Sequence, residues 1–187
     1  NLPHQFSDVG VLPVWVDVPE AEEYLTQEVG RFRKKLQEHL KKEISDEALK
    51  KSIDIYNENR TALAQLYAFR RDKPDAISGQ MVLDVVRSSM CMRKEEHTVL
   101  VKELLEELRP LPKLRNGPVR LVLFGNVCDD PGIMHLFEEL ETVVVDDDLC
   151  TGSRYFLHIE PSDGNPLQKI AQRYLRRGPC PSKPSSD

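Results

Sequence analysis

A chain of 187 residues has room for one domain of ordinary size, or for a domain with an appendage, and its net charge of -5 argues against nucleic acid as the main partner, because phosphate backbones recruit basic surfaces. No apolar run approaches the roughly 18 residues of a membrane span, and the N-terminus lacks a signal-peptide core, so neither a membrane nor secretion is indicated. The four cysteines, Cys91, Cys128, Cys150 and Cys180, are widely spaced in a chain too large to depend on disulfides, which points to a reducing cytoplasm where thiols are more often buried, catalytic or metal-bound than paired.

In chain order, residues 11–18 form a valine-rich run with Trp15 and an internal Pro13. It reads as a strand, placed by its proline near a beginning or a sheet edge. Pro19 and the acidic residues after it start a helix whose apolar stripe is Ala21, Leu25, Val29, Phe32, Leu36 and Leu40. Ser45 caps a second helix, with Leu49, Ile53, Tyr56, Leu63 and Tyr67 as its buried face as far as about Arg71. Pro74 breaks the pattern. Ser78 caps a third helix carrying Met81, Val82, Val85, Val86 and Met90, and a fourth runs from Lys94 to Leu108 with Val101, Leu104, Leu105 and Leu108 inward. Residues 20–109 are therefore expected to be a helical unit without internal repeats.

Residues 110–118, rich in proline and basic side chains, read as a linker, and beyond them the pattern changes. Residues 119–124 form a strand, Gly125 and Asn126 a turn, residues 131–140 a short helix, and residues 143–145 a second strand. That is a βαβ unit with a parallel sheet and a right-handed crossover. Asn165 and Pro166 open a last helix with Leu167, Ile170, Ala171, Tyr174 and Leu175, stopped by Gly178 and followed by Cys180 and Pro181. The expected fold is α/β: a parallel-sheet, Rossmann-like lobe over residues 119–181 with a helical insertion or cap. Residues 1–19 would lead in from a lobe outside this sequence, and residues 182–187 would form a disordered tail. Both ends read as cut from a longer chain.

The chemistry gathers at the end of the second strand, where Val143, Val144 and Val145 give way to Asp146, Asp147 and Asp148, then Leu149, Cys150, Thr151, Gly152, Ser153, Arg154, Tyr155 and Phe156. Ligands of open α/β sheets lie outside the carboxyl ends of the strands, so Cys150 is placed to meet one. The carboxylates could hold a metal or act as bases, although such a run more commonly makes a solvated turn. Gly125 and Asn126 could admit a phosphate, but neither the G-x-G-x-x-G nor the Walker pattern is present and a plain tight turn is the stronger reading. His39 and His97 lie in helices and read as solvated; no H-E-x-x-H or paired C-x-x-C supports a self-contained zinc site. Cys150 and Cys180, each in a turn beside Gly, Ser or Pro, suit an iron–sulfur cluster or zinc as soft thiolate ligands, but two thiolates complete neither.

The run D-D-L-C-T-G-S-R-Y-F, residues 147–156, resembles the family of 2-hydroxyacyl-CoA dehydratase subunits and the related ATP-dependent benzoyl-CoA reductase subunits. Three further stretches fit in the same order: Tyr56-Asn57-Glu58-Asn59-Arg60, residues 121–126, and Arg173-Tyr174-Leu175 leading to Pro179-Cys180-Pro181, so that the likeness runs from about residue 11 to 181. The resemblance implies a two-subunit anaerobic enzyme whose α/β lobes surround an iron–sulfur cluster, commonly [4Fe-4S], held by cysteines. A separate ATP-dependent activator, itself carrying an iron–sulfur cluster, supplies one electron at very low potential. In the dehydratases that electron makes a ketyl radical of the acyl-CoA thioester, which expels the hydroxyl group; in the reductases related chemistry reduces an aromatic ring.

By position, Cys150 corresponds to a family cysteine expected to ligate the cluster, and Cys180 to a second. Thr151, Gly152 and Ser153 would offer donors to cluster sulfurs. Arg154 would pair with residues 146–148, offset cluster charge or meet a CoA phosphate. Asn57 and Arg60 would form a polar network against the α/β lobe, Tyr155 and Phe156 would pack, Cys91 would be buried, and Cys128 would be a loop thiol. The family's subunits are longer, with an earlier lobe bearing a cysteine and a later segment bearing another, so the chain reads as the middle of a subunit whose partners are a second homologous subunit, the activator and an acyl-CoA. Two other readings remain: a non-catalytic scaffold subunit of the same fold, and a phosphate- or nucleotide-binding α/β domain using Gly125 and Asn126.

Overall fold

Several helices begin where a short polar side chain meets exposed backbone N–H groups. The Ser45 hydroxyl accepts from the Ala48 amide at 3.2 Å, and Ser78 accepts from Met81 at 3.1 Å. Asp130 and Asn165 accept from the amides of Gly132 and Leu167, each ahead of a proline in the first turn. The computed structural model describes residues 6–113, 119–128 and 130–177. Its elements in order are α1 (Pro19–Leu40), α2 (Asp46–Asp72), a 3-10 turn (Pro74–Ala76), α3 (Gly79–Cys91), α4 (Lys94–Leu108), β1 (Val119–Phe124), α5 (Pro131–Glu139), β2 (Thr142–Asp148), α6 (Ser153–Phe156) and α7 (Pro166–Leu175). Among the described residues no helix is long and apolar enough to cross a membrane.

The chain divides into two units, one reaching Asp54 and including His158–Arg177, the other Ile55–Leu157. In the first unit α1 packs on α7. Gly30 admits the Leu167 side chain, whose Cδ1 would lie 3.6 Å from a Cβ there, and the Gln168 and Gln172 amides both donate to Glu22. The strand expected over residues 11–18 does not form. Val14 is 83% and Trp15 61% exposed, and the segment pairs with no other strand among the described residues. A strand draws its stability from a pairing partner, which β propensity alone does not provide. Arg31 of α1 instead holds the stretch just ahead of that segment, pairing with Asp8 at 2.8 Å while it also pairs with Glu28 of its own helix at 3.0 Å. The stripe of α1 buries only at its start, through Ala21 and Leu25; Phe32 and Leu40 are exposed.

The second unit carries the α/β element. β1 and β2 pair in parallel, with Val119 opposite Thr142 and Phe124 opposite Asp148, as the βαβ pattern predicts. A register shift between Leu121 and Val122 adds one residue to β2, a β-bulge, and the strand continues through all three aspartates instead of ending before them. Two apolar clusters hold the unit together. One joins Leu63, Leu66 and Tyr67 of α2 to Val82 and Val86 of α3, Val101 and Leu105 of α4, and Phe156 of α6. The other joins Leu83, Met134, Val144 and Leu149. Several helix faces differ from the periodic reading: Tyr56, Met81 and Met90 are exposed, while Leu83, Asn59 and Arg70 are buried.

Candidate functional site

Cys150 sits in the turn between β2 and α6, one residue past the Leu149 anchor of one apolar cluster and six before the Phe156 anchor of the other. Its amide donates to the Asn126 carbonyl at 2.6 Å, which ties the turn to the loop after β1. In the same loop the Cys128 amide reaches the Thr151 hydroxyl at 3.4 Å. Both thiols are half-buried. Cys91, expected to be buried, is exposed at the end of α3. Gly125 faces the Leu149 side chain and Asn126 is bonded to Cys150, so these residues brace the cysteine turn, as a tight βα connection would. Cys180 lies outside the described residues, as do residues 114–118 of the linker and the whole C-terminal tail.

The three aspartates are not one solvated turn; each has its own partner. Asp146 pairs with Arg71 at 2.9 Å. Asp148 makes a bidentate pair with Arg154, which holds its carboxyl below the usual carboxylate range, and the same carboxylate, followed by the Cys150 sulfur, raises the Arg154 guanidinium. Arg154 thus meets both the aspartate run, as expected, and the thiol. Asp147 is buried, with no solvent access to its side chain. It accepts from the Tyr67 hydroxyl at 2.6 Å, from the Ser153 amide at 2.8 Å and, more weakly, from the Leu149 amide at 3.4 Å. Burial and the adjacent Asp147 carboxylate raise the Tyr67 phenol far above its ordinary value, so it stays protonated and donates.

Gly152 is required by space. A Cβ there would lie 2.0 Å from Asp147 Oδ1. Gly152 precedes α6 and has no side chain to cap it, and Asp147, six residues before Ser153, supplies the cap instead. The Ser153 hydroxyl donates to the Asp147 carbonyl and the Gly152 amide to the Leu149 carbonyl. Gly152 and Ser153 therefore turn these donors inward and shape the turn, and among residues 151–153 it is Thr151 that also links to the neighbouring thiol loop.

A second polar cluster lies in the same unit. The Lys94 ammonium, 7% exposed, donates to the Ser89 carbonyl and hydroxyl and to Tyr155 Oη at 2.7 Å, and packs against the Tyr56 and Tyr155 rings. His97, expected to be solvated, is 2% exposed. Its Nε2 donates to the Val85 carbonyl at 2.9 Å, which leaves Nδ1 to accept from the Asn59 amide at 2.8 Å. Burial depresses its pKa; the Val85 bond opposes that shift and the Lys94 charge reinforces it. His39 is exposed, as expected. Arg60 donates to Asn57 within α2 at 2.7 Å, a local polar pair. Sequence reasoning gave Tyr67 only a core position and Cys128 only a loop position, and passed over the polar roles of Arg70 and Lys94; the one usable signal was that Asn59 and Arg70 fall at helical spacing with Leu63 and Leu66 on the apolar stripe of α2, where a charged side chain needs a buried partner.

Among the described residues no group of three or more His, Cys, Asp or Glu side chains is arranged to hold a metal ion. An open groove of about 530 Å³ in the first unit is lined by Pro19, Glu22, Thr26, Asn165 and Gln168 among others and contains no thiol. The chemistry of the second unit is thus a thiol, with a guanidinium beside it, carried past the carboxyl end of a parallel strand pair. These features define an α/β protein with a cysteine-bearing strand end.

The chain belongs to the 2-hydroxyglutaryl-CoA dehydratase, D-component family, which it matches over residues 5–187. It is 30% identical over 161 residues to the lactoyl-CoA dehydratase subunit beta of Anaerotignum propionicum, covering 86% of this chain and 43% of that protein. It is 29% identical over 135 residues to the (R)-phenyllactyl-CoA dehydratase beta subunit of Clostridium sporogenes, covering 72% and 36%. It is also similar to one of the subunits of benzoyl-CoA reductase from Thauera aromatica, at 26% over 155 residues, covering 81% and 40%. The chain spans less than half the length of these curated relatives.

Proposed function

We propose that the chain is the cluster-side part of one subunit of an anaerobic radical acyl-CoA dehydratase or benzoyl-CoA reductase, acting in the cytoplasm beside a second homologous subunit. The observation that carries this reading is the position of Cys150: a half-buried thiol past the carboxyl end of β2, fixed through its own amide and flanked by Arg154, in a chain of this family. The donor set suits a [4Fe-4S] cluster in chemistry, since soft thiolates are the ligands such clusters take. Cys150 would be one ligand and Cys180 a second, with others from outside these residues. Cys128, next to the same turn, supports the reading as a nearby soft donor.

When bound, the cluster would supply a single low-potential electron, received from an ATP-dependent activator, to an acyl-CoA thioester. The chain's own residues have separate tasks. Asp147, Gly152 and Ser153 hold the turn rigid, Leu149 and Phe156 anchor it in the core, and Arg154, paired with Asp148 and beside the Cys150 sulfur, would offset negative charge there once the cluster is bound. Thr151 keeps the loop after β1 against the turn.

The test is anaerobic purification of the full subunit with its partner, followed by addition of the activator, ATP and either a 2-hydroxyacyl-CoA or benzoyl-CoA. The reading expects ATP-dependent loss of hydroxyl from the former or ring reduction of the latter. A pair that binds the activator yet turns over neither substrate class would overturn it in favour of a scaffold subunit.

A further inference from the structure

We propose that Tyr67 and Arg70 of α2, acting through Asp147, are positioning residues for Cys150, so that the direction of the thiol is set by a helix that does not carry it. The inference rests on the preceding reading only for what the thiol is used for; the placement of the turn stands on geometry.

Asp147 is the hub. Its carboxylate is shared between the α2 side, through the Tyr67 hydroxyl at 2.6 Å and the Arg70 guanidinium at 3.6 Å, and the turn side, through the Ser153 and Leu149 amides. Those amides flank residues 150–152, so moving the carboxylate moves both ends of the segment that carries Cys150. Gly152 leaves no slack, since the carboxylate fills the space a side chain would take.

Arg70 is the less expected member. Its side chain is 1% exposed, it lies on the Tyr67 ring with Cζ 4.9 Å from the centroid, and Asp147 is its charged partner. None of its side-chain nitrogens makes a hydrogen bond among the described residues. A buried ion pair without such bonds is commonly no more stabilising than apolar side chains of the same size. Stability alone therefore does not account for a guanidinium here. A fixed cation behind Asp147 does account for it: drawn toward the guanidinium on the α2 side, the carboxylate stays oriented toward the two turn amides whose hydrogen bonds it accepts.

The experiment follows the alkylation of individual cysteines by iodoacetamide in the full chain under native conditions, each site quantified by mass spectrometry, with urea unfolding run in parallel. Cys91, exposed at the end of α3, is the internal reference. Tyr67→Phe keeps the ring that packs edge-on against Phe156, with centroids 4.8 Å apart, and removes only the hydroxyl. It is expected to raise the Cys150 rate relative to Cys91 at least about fivefold, the change that one hydrogen bond of ordinary net strength makes in a local opening equilibrium. Arg70→Met is expected to act in the same direction and Arg70→Lys, which keeps the charge, to restore part of the difference. Val101→Ala, which loosens the core that Tyr67 shares but removes no group hydrogen-bonded to Asp147, is the control for a merely structural effect.

An unchanged Cys150:Cys91 ratio in Tyr67→Phe would overturn the proposal. So would an equal rise in Val101→Ala at matched loss of stability. If Arg70→Met fails to fold, the Tyr67→Phe result decides alone. The readout needs no bound cluster, so failure of the cluster reading, seen as iron that does not depend on Cys150, is distinguishable from failure of this one.

Discussion

Gly152→Ala is the sharpest test of how the cysteine turn is built. An added Cβ would lie 2.0 Å from Asp147 Oδ1, 2.7 Å from Cγ and 3.1 Å from Oδ2, so the carboxylate must move by more than an ångström or the turn must open. Elsewhere a carboxylate could swing aside at little cost. This one is fixed by Tyr67 at 2.6 Å and Ser153 at 2.8 Å, and displacing it gives up both. Hydrogen bonds to a charged group contribute about 1.5–3 kcal/mol each and overpacking adds about 1–3 kcal/mol, so the terms sum to about 4–9 kcal/mol and, with partial relaxation of the turn, a net loss of at least about 3 kcal/mol is expected. For a chain of this size a loss of about 3 kcal/mol corresponds to a fall in melting temperature of about 6–12 °C. Urea unfolding followed by circular dichroism measures it, with Gly10→Ala as the control, since a Cβ at Gly10 meets nothing within 4 Å. A Gly152→Ala protein that unfolds within about 0.5 kcal/mol of wild type would refute the packing argument.

Other predictions follow from the neighbouring polar groups. His97 is buried neutral with its pKa depressed below 6.5, so its contribution to stability is fully present above that value and is lost as pH falls from 6.5 through the folded value; His97→Gln should flatten the stability–pH curve in that window, read from urea midpoints. Asp148 is depressed below 3.8 by Arg154, so the stability difference between wild type and Arg154→Ala should be full above pH 3.8 and shrink as pH falls through the depressed value. Tyr155→Phe removes an acceptor from the buried Lys94 ammonium and should cost about 1–3 kcal/mol in urea unfolding, whereas truncation of the exposed Tyr174 should change stability by under about 0.5 kcal/mol.

Locally encoded features could be read from the residues alone. Ser45, Ser78 and Asn165 lie within three residues of the amides they cap, and the β1–α5–β2 order gave a parallel pair. The cysteine turn was legible too, because Gly152 and Ser153 follow Cys150 closely in the chain. Features that depend on distant partners were not. β2 continues through residues 146–148 because Arg71, Tyr67 and Arg70 wait on α2, with Asp147 and Tyr67 separated by 80 positions in the chain. Periodicity placed Leu63 and Tyr67 inward and Arg70 continues the same stripe, but no local signal named the buried carboxylate that Arg70 meets. His97 looks like any helical histidine until Asn59 and Val85 are brought to it. Residues 11–18 carry strand composition without a pairing partner among the described residues, and composition has no means of registering that.

The central claim is that Cys150 is a cluster ligand, and iron analysis tests it most directly. The full subunit would be purified without oxygen beside its partner, as wild type and as Cys150→Ala, and assayed for iron and acid-labile sulfide. The account predicts about four iron per subunit in the wild type, the content of a [4Fe-4S] cluster, and a sharp loss in the variant. A full complement of iron in Cys150→Ala would contradict it.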